Sequence, residues 1–525
     1  MGKRLKERSE HAARDAVQAL VRRHDLRTTF SDAVFQEVAK WQQDPSLGAA
    51  DLVDLRELPF VTIDDARTRD LDQAVEVTLV EKGTYLVRYA LADASYFCPM
   101  GSALFAEAME RGASYYLPGV TVPMLPKELS EGLVSLNPGG HRRALIIEMT
   151  FVGADLVVGD VYQAFMRSEA KLSFEEVQDL YDTGACPPCS DAARSSLECL
   201  RDLGEVLLEA RKRRGVPQYR RQELDVRVSE CGRNFRVEGR ERLAIERYNE
   251  EISLHCNTYG ARWLAHGDTP TDGVEPVFRV HQAPDNSRLD RFERLTKAAV
   301  QERGPEASGL GWRRAEGESL AEYLDRLPTE GPLEPWARAL HRQAIMVNHR
   351  SLFSSSAGPH FGIGAQSYAR FSSPMRELVG VFVHKEALER LAMQRGETPT
   401  QDQDLRDDVI ERANRAKSLQ KQLTKDSIGL VIDSICRRDH ENGSPLRSGI
   451  LMGFTKTRLH VLLEAPPVDI KIYFRYFEGA EIVSRDAGVD IIQGDRRRTL
   501  RLGDTVRTYV RSYDEKKQRW VFGLE

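Results

Sequence analysis

Residues 60–74 read FVTIDDARTRDLDQA, in which four aspartates fall within nine positions between two apolar segments. Carboxylates this close repel one another, so a fold keeps them together only where cations or hydrogen-bond donors compensate their charge. Asp70 and Asp72 stand two residues apart and project to one side of an extended chain. Such hard oxygen ligands suit Mg²⁺ or Mn²⁺ shared with a substrate phosphate. The alternative is a solvated acidic loop; an EF-hand is excluded because its central glycine and terminal glutamate are missing.

The 525 residues predict several domains with a large core. Seven cysteines in so long a chain indicate reduced thiols, and the CPPC motif at 186–189 is interpreted as a loop because no second CxxC accompanies it. No apolar run reaches the length of a membrane span, and the N-terminus lacks the hydrophobic stretch of a secretory signal. We therefore predict a cytoplasmic protein without membrane association, and most simply a monomer.

The net charge of −5 is unevenly distributed along the chain. Residues 1–24 and 445–525 are each basic by about four charges, so the middle of the chain is acidic. Basic ends around an acidic centre suit a protein that holds a polyanion at its rim and a metal in its interior.

Hydrophobic spacing predicts two helices, over 9–24 and 30–43, with Ser31 or Asp32 as a cap. We assign residues 1–55 to this helical module. It is too short for an OB barrel and is interpreted either as a helix-turn-helix fragment or as a lid on the next domain.

Strand-like and helical segments alternate over residues 56–395, which predicts an α+β domain with a mixed sheet surrounded by helices. Residues 396–444 are predicted to be a helical connection that completes this domain, with a long charged helix over 406–424. Residues 445–525 contain five short strands with basic side chains, which predicts a small OB-type barrel that binds oligonucleotides. The candidates for base stacking or for the core are Phe454, Phe474 and Phe477, and those for phosphate contacts are Arg458, Lys471 and Arg475.

Eight segments together resemble the ribonuclease II/ribonuclease R (RNB) family of exoribonucleases. They are TIDDARTRDLDQA (62–74), YALADASYF (89–97), SYYLPGVTVPMLPKELSEGLVSLNP (114–138), SEAKLSFEEV (168–177), RYNEEISLHCN (247–257), VFRVHQAP (277–284), HFGIG (360–364) and YARFSSPMR (368–376). The likeness runs from about residue 60 to 391, and the tail is similar to the S1-like OB domain that ends these enzymes. The resemblance implies Mg²⁺-dependent hydrolysis of single-stranded RNA from the 3′ end, with Mn²⁺ as a substitute, and release of nucleoside 5′-monophosphates.

The resemblance also implies residue roles. The metal-binding and catalytic aspartates correspond to Asp64, Asp70 and Asp72, and the phosphate-binding arginine corresponds to Arg376. The residues implied to contact RNA in this domain are Tyr116, Tyr219, Glu250, Glu251, His360 and Tyr368, with Phe361 in the same segment as His360. In the terminal barrel, Phe454, Arg458 and Lys471 are expected to bind RNA.

This chain departs from the family pattern at four places. Gln73 stands where the family has a fourth aspartate, so it is expected to be at most a weak, uncharged metal ligand. Glu377 and the three residues after it replace a second basic residue, an aromatic and an aspartate. Phe174 replaces a tyrosine, and the front of the chain is too short for the two cold-shock domains that usually precede the catalytic core. The alternative function is therefore an RNA-binding homologue with a weakened or lost active site.

Overall fold

A computed structural model describes residues 11–45, 52–220, 223–265 and 273–525. At the N-terminus it contains helix α1 (Ala12–Arg23) and helix α2 (Asp32–Gln43), close to the predicted positions. Ser31 is the N-cap of α2, and its hydroxyl accepts a hydrogen bond from the backbone N–H of Val34 at 3.4 Å.

A six-stranded mixed sheet forms the centre of the molecule. The strands up to residue 173 are β1 (Val53–Asp54), β2 (Phe60–Asp64), β3 (Gln73–Glu81), β4 (Thr84–Ala92), β5 (Tyr115–Leu117), β6 (Val120–Val122), β7 (His141–Val152) and β8 (Asp155–Ser173); β5 and β6 form a separate hairpin. The sheet order is β1-β8-β2-β3-β4-β7. The long strand β8 pairs antiparallel with β7 and, further along, parallel with β2, so the sheet closes on itself.

Helices cover this sheet, because several of its strands are apolar on both faces. The next elements are α3 (Ala94–Phe97), α4 (Ala103–Arg111), α5 (Phe174–Thr183), α6 (Asp191–Arg213), β9 (Glu223–Val228), β10 (Phe235–Arg240) and α7 (Ala244–Ala265). Helix α6 packs against β3 and against α7. In the sequence between these two helices, β9 and β10 form a hairpin. The centre of β7, residues 144–147, is fully buried as a result.

A helical unit and a very long helix follow. They comprise β11 (Phe278–Val280), α8 (Asn286–Arg303), α9 (Leu320–Asp325), α10 (Glu334–Ile345), β12 (Leu352–Ser354), α11 (Leu378–Gln394) and α12 (Gln403–Glu441). Helix α12 is 39 residues long, much longer than the predicted helix over 406–424. The helix continues beyond residue 424 because Val431 and Ile435 are buried in the core of the C-terminal barrel. Tertiary packing, rather than local periodicity, decides where this helix ends.

The C-terminal barrel is a five-stranded sheet of order β15-β14-β13-β19-β20. Its segment contains β13 (Arg447–Thr455), β14 (Arg458–Leu463), β15 (Asp469–Tyr473), β16 (Glu481–Ser484), β17 (Gly488–Gln493), β18 (Arg496–Arg501), β19 (Thr505–Asp514) and β20 (Arg519–Leu524). This segment has eight strands rather than the five predicted: residues 496–514 are divided into β18 and β19, and β16–β18 form an additional three-stranded sheet. The division lies at Gly503 (φ 79°), where a Cβ atom would lie only 2.3 Å from Trp336 Cα in α10. The barrel thus packs closely against the helical unit.

The two N-terminal helices lie on this body at separate places. Helix α1 packs on α12 and, through Val17 and Leu20, on the β5–β6 hairpin. Helix α2 packs on α4, whose backbone N–H groups at Ala103 and Leu104 donate to the Glu37 carboxylate at 2.8 and 2.9 Å. Both interpretations of this module, as a helix-turn-helix fragment or as a lid, stay predictions. In the part of the chain that the structure describes, no helix is long and apolar enough to cross a membrane.

Candidate active site

The loop between β2 and β3 carries the clustered aspartates. Asp64 ends β2, and its Oδ1 accepts hydrogen bonds from the backbone N–H of Asp65 at 2.8 Å and from the Thr68 hydroxyl at 3.0 Å. Asp65 forms an ion pair with Arg67 at 3.1 Å. Both of these bonds to Asp64 use Oδ1, and no hydrogen bond of the described residues uses Oδ2.

Asp70 is held by the aromatic residue of the LPG segment. The hydroxyl of Tyr116 on β5 donates a hydrogen bond of 2.6 Å to Asp70 Oδ2. Burial of this hydroxyl raises the pKa of Tyr116, and Asp70 and Asp72 add to the rise against the opposing effect of Arg376. The phenol is therefore a neutral donor that fixes the ring, which is 47% exposed.

Asp72 is the buried member of the group, with 1% of the residue exposed. Its Oδ1 accepts from the backbone N–H of Met375 at 2.8 Å, and its Oδ2 accepts from Nε of Arg376. Burial raises the pKa of Asp72 to about 6, although Arg376 and the Met375 N–H act in the opposite direction. Two residues 304 positions apart thus meet at the centre of the site.

The segment that carries Arg376 is positioned by Asn257 of α7. The Asn257 side-chain oxygen accepts from the backbone N–H groups of Phe371 (2.7 Å) and Ser372 (3.1 Å), and its Nδ2 donates to the Ser372 hydroxyl at 2.8 Å. The start of α11 then packs tightly on the segment, since a Cβ atom at Gly380 would lie 2.6 Å from the carbonyl oxygen of Ser373. Glycine at this position, where the family has an aspartate, permits that approach.

Gln73 of β3 connects strand β4 and the segment that carries Arg376. The Tyr89 hydroxyl of β4 donates to its Oε1, and its Nε2 donates to the Ser372 carbonyl at 2.5 Å. Both ends of the amide are therefore occupied by protein groups. Gln73 acts in this arrangement as a tether between the sheet and the Arg376 segment, and its role as a weak metal ligand stays a prediction.

The donor set fits divalent cations. Burial lowers the pKa of Arg376, but the negative charges of Asp72, Asp64 and Asp70 outweigh it, and the pKa is raised overall. Three carboxylates thus surround one guanidinium, which leaves negative charge for a cation to compensate. Their oxygens are not gathered around one point, because each aspartate is held by a different partner. Among the described residues, the group of three whose ligand atoms lie within 4.8 Å of one another is instead Glu386, Glu389 and Asp402.

A cleft of about 970 Å³ leads to this site. Its walls include Asp70, Tyr116 and Lys127 from the sheet domain, Tyr219, residues 223–227 of β9, and Thr424, Ser427 and Ile428 of α12. Tyr116 and Tyr219, both predicted to hold RNA, therefore lie on one cleft. The Tyr219 hydroxyl accepts a hydrogen bond of 2.6 Å from Asn348 Nδ2, which orients its ring.

The predicted glutamate pair lies on α7 within a group of arginines. Glu251 is 1% exposed and accepts from Arg211 at 2.6 Å, and burial raises the pKa of its carboxyl. Glu250 is paired with Arg242 at 2.6 Å, and 32% of its side chain is exposed. Of the two, Glu250 is open to a substrate.

His360 and Tyr368 lie side by side, with ring centroids 5.4 Å apart, and both are buried. Burial lowers the pKa of His360 to about 3, so its imidazole is neutral. The expected direct contact of these two side chains with RNA does not fit their burial. Their two rings pack against each other in the interior, and Phe361 begins a short 3-10 turn beside them.

In the barrel, Phe474 belongs to the core, and Phe454 and Phe477 pack against that core. Lys471 is exposed and Arg458 is half-buried, as their expected role with RNA requires. The aromatic ring that the arginines surround is Tyr473, with Arg519 4.4 Å and Arg458 and Arg475 5.8 Å from its centroid. Sequence reasoning missed Tyr473 because it considered only the phenylalanines.

Known proteins match this chain over most of its length. Residues 52–391 match the family described as the RNB domain. Ribonuclease R of Escherichia coli (strain K12) is 31% identical over 390 residues, which cover 73% of this chain and 45% of that protein. The chain thus spans less than half the length of that relative.

Two solved structures show the same fold. Mycoplasma genitalium RNase R in complex with ribose methylated single-stranded RNA matches with a TM-score of 0.84 at 19% identity, covering 97% of this chain and 77% of that chain. Yeast Ssd1, described as a pseudonuclease, matches with a TM-score of 0.62 at 13% identity, covering 90% and 54%. Because the family match extends over more than half of the sequence and includes both the aspartate loop and Arg376, the chain belongs to the RNB domain family.

Proposed function

We propose that this protein is a metal-dependent exoribonuclease that degrades single-stranded RNA from its 3′ end and releases nucleoside 5′-monophosphates. The observation that carries the proposal is the meeting of Asp72 with Arg376 beside a cleft lined by Asp70 and Tyr116. Metal-binding carboxylates, a phosphate-binding guanidinium and a stacking aromatic are the groups that this reaction requires.

Arg376 is proposed to bind the scissile phosphate. Its Nε donates to Asp72, so the two Nη nitrogens remain to donate to phosphate oxygens. A planar guanidinium suits this role because it can form two parallel hydrogen bonds and stabilise charge that develops in the transition state. Asp72 and Asn257 act here by holding Arg376 and its segment in place.

Asp64, Asp70 and Asp72 are proposed to hold Mg²⁺, with Mn²⁺ as a substitute. Bound divalent ions would activate the attacking water and stabilise the leaving oxygen. Among the described residues, the bonds to Asp64 use Oδ1 and the bond to Asp70 uses Oδ2, so each offers its other oxygen, whereas Asp72 must share oxygens that accept from Met375 and Arg376.

Tyr116 and Tyr219 are proposed to stack on the last bases, and the half-buried Tyr473 with its surrounding arginines to contact RNA further along the strand. Base stacking contributes roughly 1–3 kcal/mol per base and tolerates any sequence, as degradation from an end requires. Glu250 is the proposed contact to the ribose 2′-hydroxyl, which distinguishes RNA from DNA.

The test uses a 5′-labelled oligoribonucleotide and the matched DNA strand. We expect a ladder of shortened RNA with Mg²⁺, intact RNA with EDTA, and intact DNA in both. Degradation that persists in EDTA would refute the proposed metal dependence. Equal rates on RNA and DNA would refute the proposed contact of Glu250 with the ribose 2′-hydroxyl.

A second candidate function is RNA binding without degradation. Two observations favour it: the amide of Gln73 is fully engaged by protein groups, and Glu377 stands where the family has a basic residue. Under this alternative the purified chain would bind the oligoribonucleotide but release no mononucleotide at any Mg²⁺ or Mn²⁺ concentration.

A further inference from the structure

A second group of cations lies next to the segment that carries Arg376. Arg279 of β11 donates to the Ser351 hydroxyl oxygen at 3.2 and 3.3 Å, and Lys417 of α12 approaches the same oxygen at 3.3 Å. Arg370 Nη2 lies 3.2 Å from Glu377 Oε1. Elements distant in sequence thus bring three cations to one place.

The charge of this cluster is only partly compensated. Among the residues that the structure describes, three cations face one carboxylate, that of Glu377, which leaves two net positive charges when Lys417 is protonated. Burial and the neighbouring Arg279 together lower the pKa of Lys417 to about 7, against the raising effect of Glu377. Partly buried cations without matching anions are unfavourable unless an anion joins them.

The cluster is open to solvent and separate from the RNA cleft. The side chains of Arg370 and Glu377 are 27% and 30% exposed, and Arg279 and Lys417 are half-buried. None of these residues is among those that line the cleft with Tyr116 and Tyr219. A strand held in that cleft is therefore not what compensates them.

We propose that Arg279, Arg370, Lys417 and the Ser351 hydroxyl form a binding site for a phosphate group beside the catalytic centre. Guanidinium groups and a hydroxyl are the donors that phosphate oxygens accept best. Two net positive charges match a phosphate monoester, which carries close to two negative charges at neutral pH.

The occupant that fits this charge is a nucleoside 5′-monophosphate, and this choice rests on the proposed function because that reaction releases one. Arg370 and Arg376 belong to one short segment and repel each other electrostatically, so their positive charges lie close together. A monophosphate released at Arg376 would meet Arg370 next, and the site would draw product away from the reacting atoms.

The experiment measures binding without turnover. Adenosine 5′-monophosphate and inorganic phosphate are titrated into the full chain in EDTA by calorimetry, with adenosine as the uncharged comparison. We expect saturable binding of the two phosphates that Lys417→Gln weakens about tenfold, as loss of one charge-assisted hydrogen bond predicts. Lys417→Arg keeps the charge and is expected to retain the affinity.

The matched control is Arg415→Gln, which removes an exposed cation of the same helix that pairs with Glu411. The proposal is overturned if the chain binds neither phosphate, or if Lys417→Gln and Arg415→Gln have equal effects. Arg279→Gln provides an independent variant, and circular dichroism checks that each variant is folded.

A last arm identifies the source of the phosphate with a ribose-methylated oligoribonucleotide. If Lys417→Gln leaves the RNA affinity unchanged, the site binds the released monophosphate. If Lys417→Gln weakens RNA binding as much as it weakens monophosphate binding, the site binds a phosphate of the RNA backbone. Both outcomes support a phosphate site. A chain that binds the monophosphate at Lys417 but degrades no RNA would refute the proposed function and leave this site intact.

Discussion

Two groups of three carboxylates in this chain differ in how their charge is compensated. In the first, which we call the lysine-centred group, the Lys385 ammonium donates to Glu386 at 2.8 Å, to Glu389 at 3.1 Å and to Asp402. Burial lowers the pKa of Lys385, but the three carboxylates outweigh it and raise the pKa overall. The ammonium occupies the place a metal ion would take.

The second is the aspartate group, Asp64, Asp70 and Asp72. Among the described residues, its one ion pair joins Arg376 to Asp72, whereas Asp64 and Asp70 accept from the neutral hydroxyls of Thr68 and Tyr116. This group therefore retains negative charge. By the spacing of its oxygens alone, the lysine-centred group would be chosen as the metal site. By uncompensated negative charge, the aspartate group is the better candidate.

The largest expected effect in this comparison comes from Asp72→Asn. The amide keeps the shape of the side chain but removes the charge at the centre of the site, so kcat should fall about a thousandfold or more. The measurement is the initial rate of label release, with RNA affinity in EDTA expected to change little.

Asp65→Asn is the matched control, because Asp65 pairs with Arg67 at the loop and is not assigned to the metals. Its kcat should stay close to that of the unaltered chain. An Asp72→Asn variant that keeps its turnover would show that the catalytic centre lies elsewhere.

Removal of the central cation should affect the lysine-centred group through stability. Lys385→Met leaves three carboxylates without their partner and should lower the free energy of unfolding by about 3–5 kcal/mol. Urea denaturation measures the change. The control is Lys421→Met, which replaces an exposed lysine and should lower the free energy of unfolding by less than about 0.5 kcal/mol. If Mg²⁺ restored the free energy of unfolding of the Lys385→Met variant, the lysine-centred group would be a latent metal site.

The affinity of the aspartate group for Mg²⁺ should depend on pH. Burial raises the pKa of Asp72 to about 6, so the carboxyl takes up a proton as the pH falls through that value. Because a protonated carboxyl is a poor ligand, the Mg²⁺ concentration for half-maximal activity should rise about tenfold per pH unit below about pH 6. A flat Mg²⁺ requirement between about pH 5 and 7 would contradict this.

The smallest expected effect concerns Gln73. Gln73→Asp adds a carboxylate beside Asp72 and should lower the Mg²⁺ requirement about severalfold, since affinity follows the number of charged ligands. Gln73→Leu removes the tether to Ser372 without adding charge, so it should lower kcat and leave the Mg²⁺ requirement unchanged. Equal Mg²⁺ requirements in both variants would place Gln73 away from the ions.

The local motifs were predictable because their information lies in neighbouring residues. The spacing of Asp64, Asp70 and Asp72 identified the loop, and period-two and helical patterns located most strands and helices. The long-range partners were not predictable in this way. Asn257 lies within the RYNEEISLHCN motif, but no local pattern indicates that it holds the Arg376 segment, because its hydrogen bonds cross more than 100 positions.

Exposure also could not be assigned from sequence. His360 and Tyr368 carry polar groups yet are buried, whereas Tyr473 stands among arginines at the edge of the barrel. Alternation along a strand tells which residues share a face, but the packing of the whole domain decides which face meets solvent.

The sequence by itself determined the chemistry that this chain carries: three aspartates after a strand, an arginine in SSPMR, an aromatic before LPG, and a strand-rich basic tail. The tertiary structure decided which carboxylates keep their charge uncompensated, that Arg376 reaches Asp72, and that Arg279 and Lys417 meet at Ser351. The physical reason is that compensation of charge depends on distances between side chains, and folding alone sets those distances.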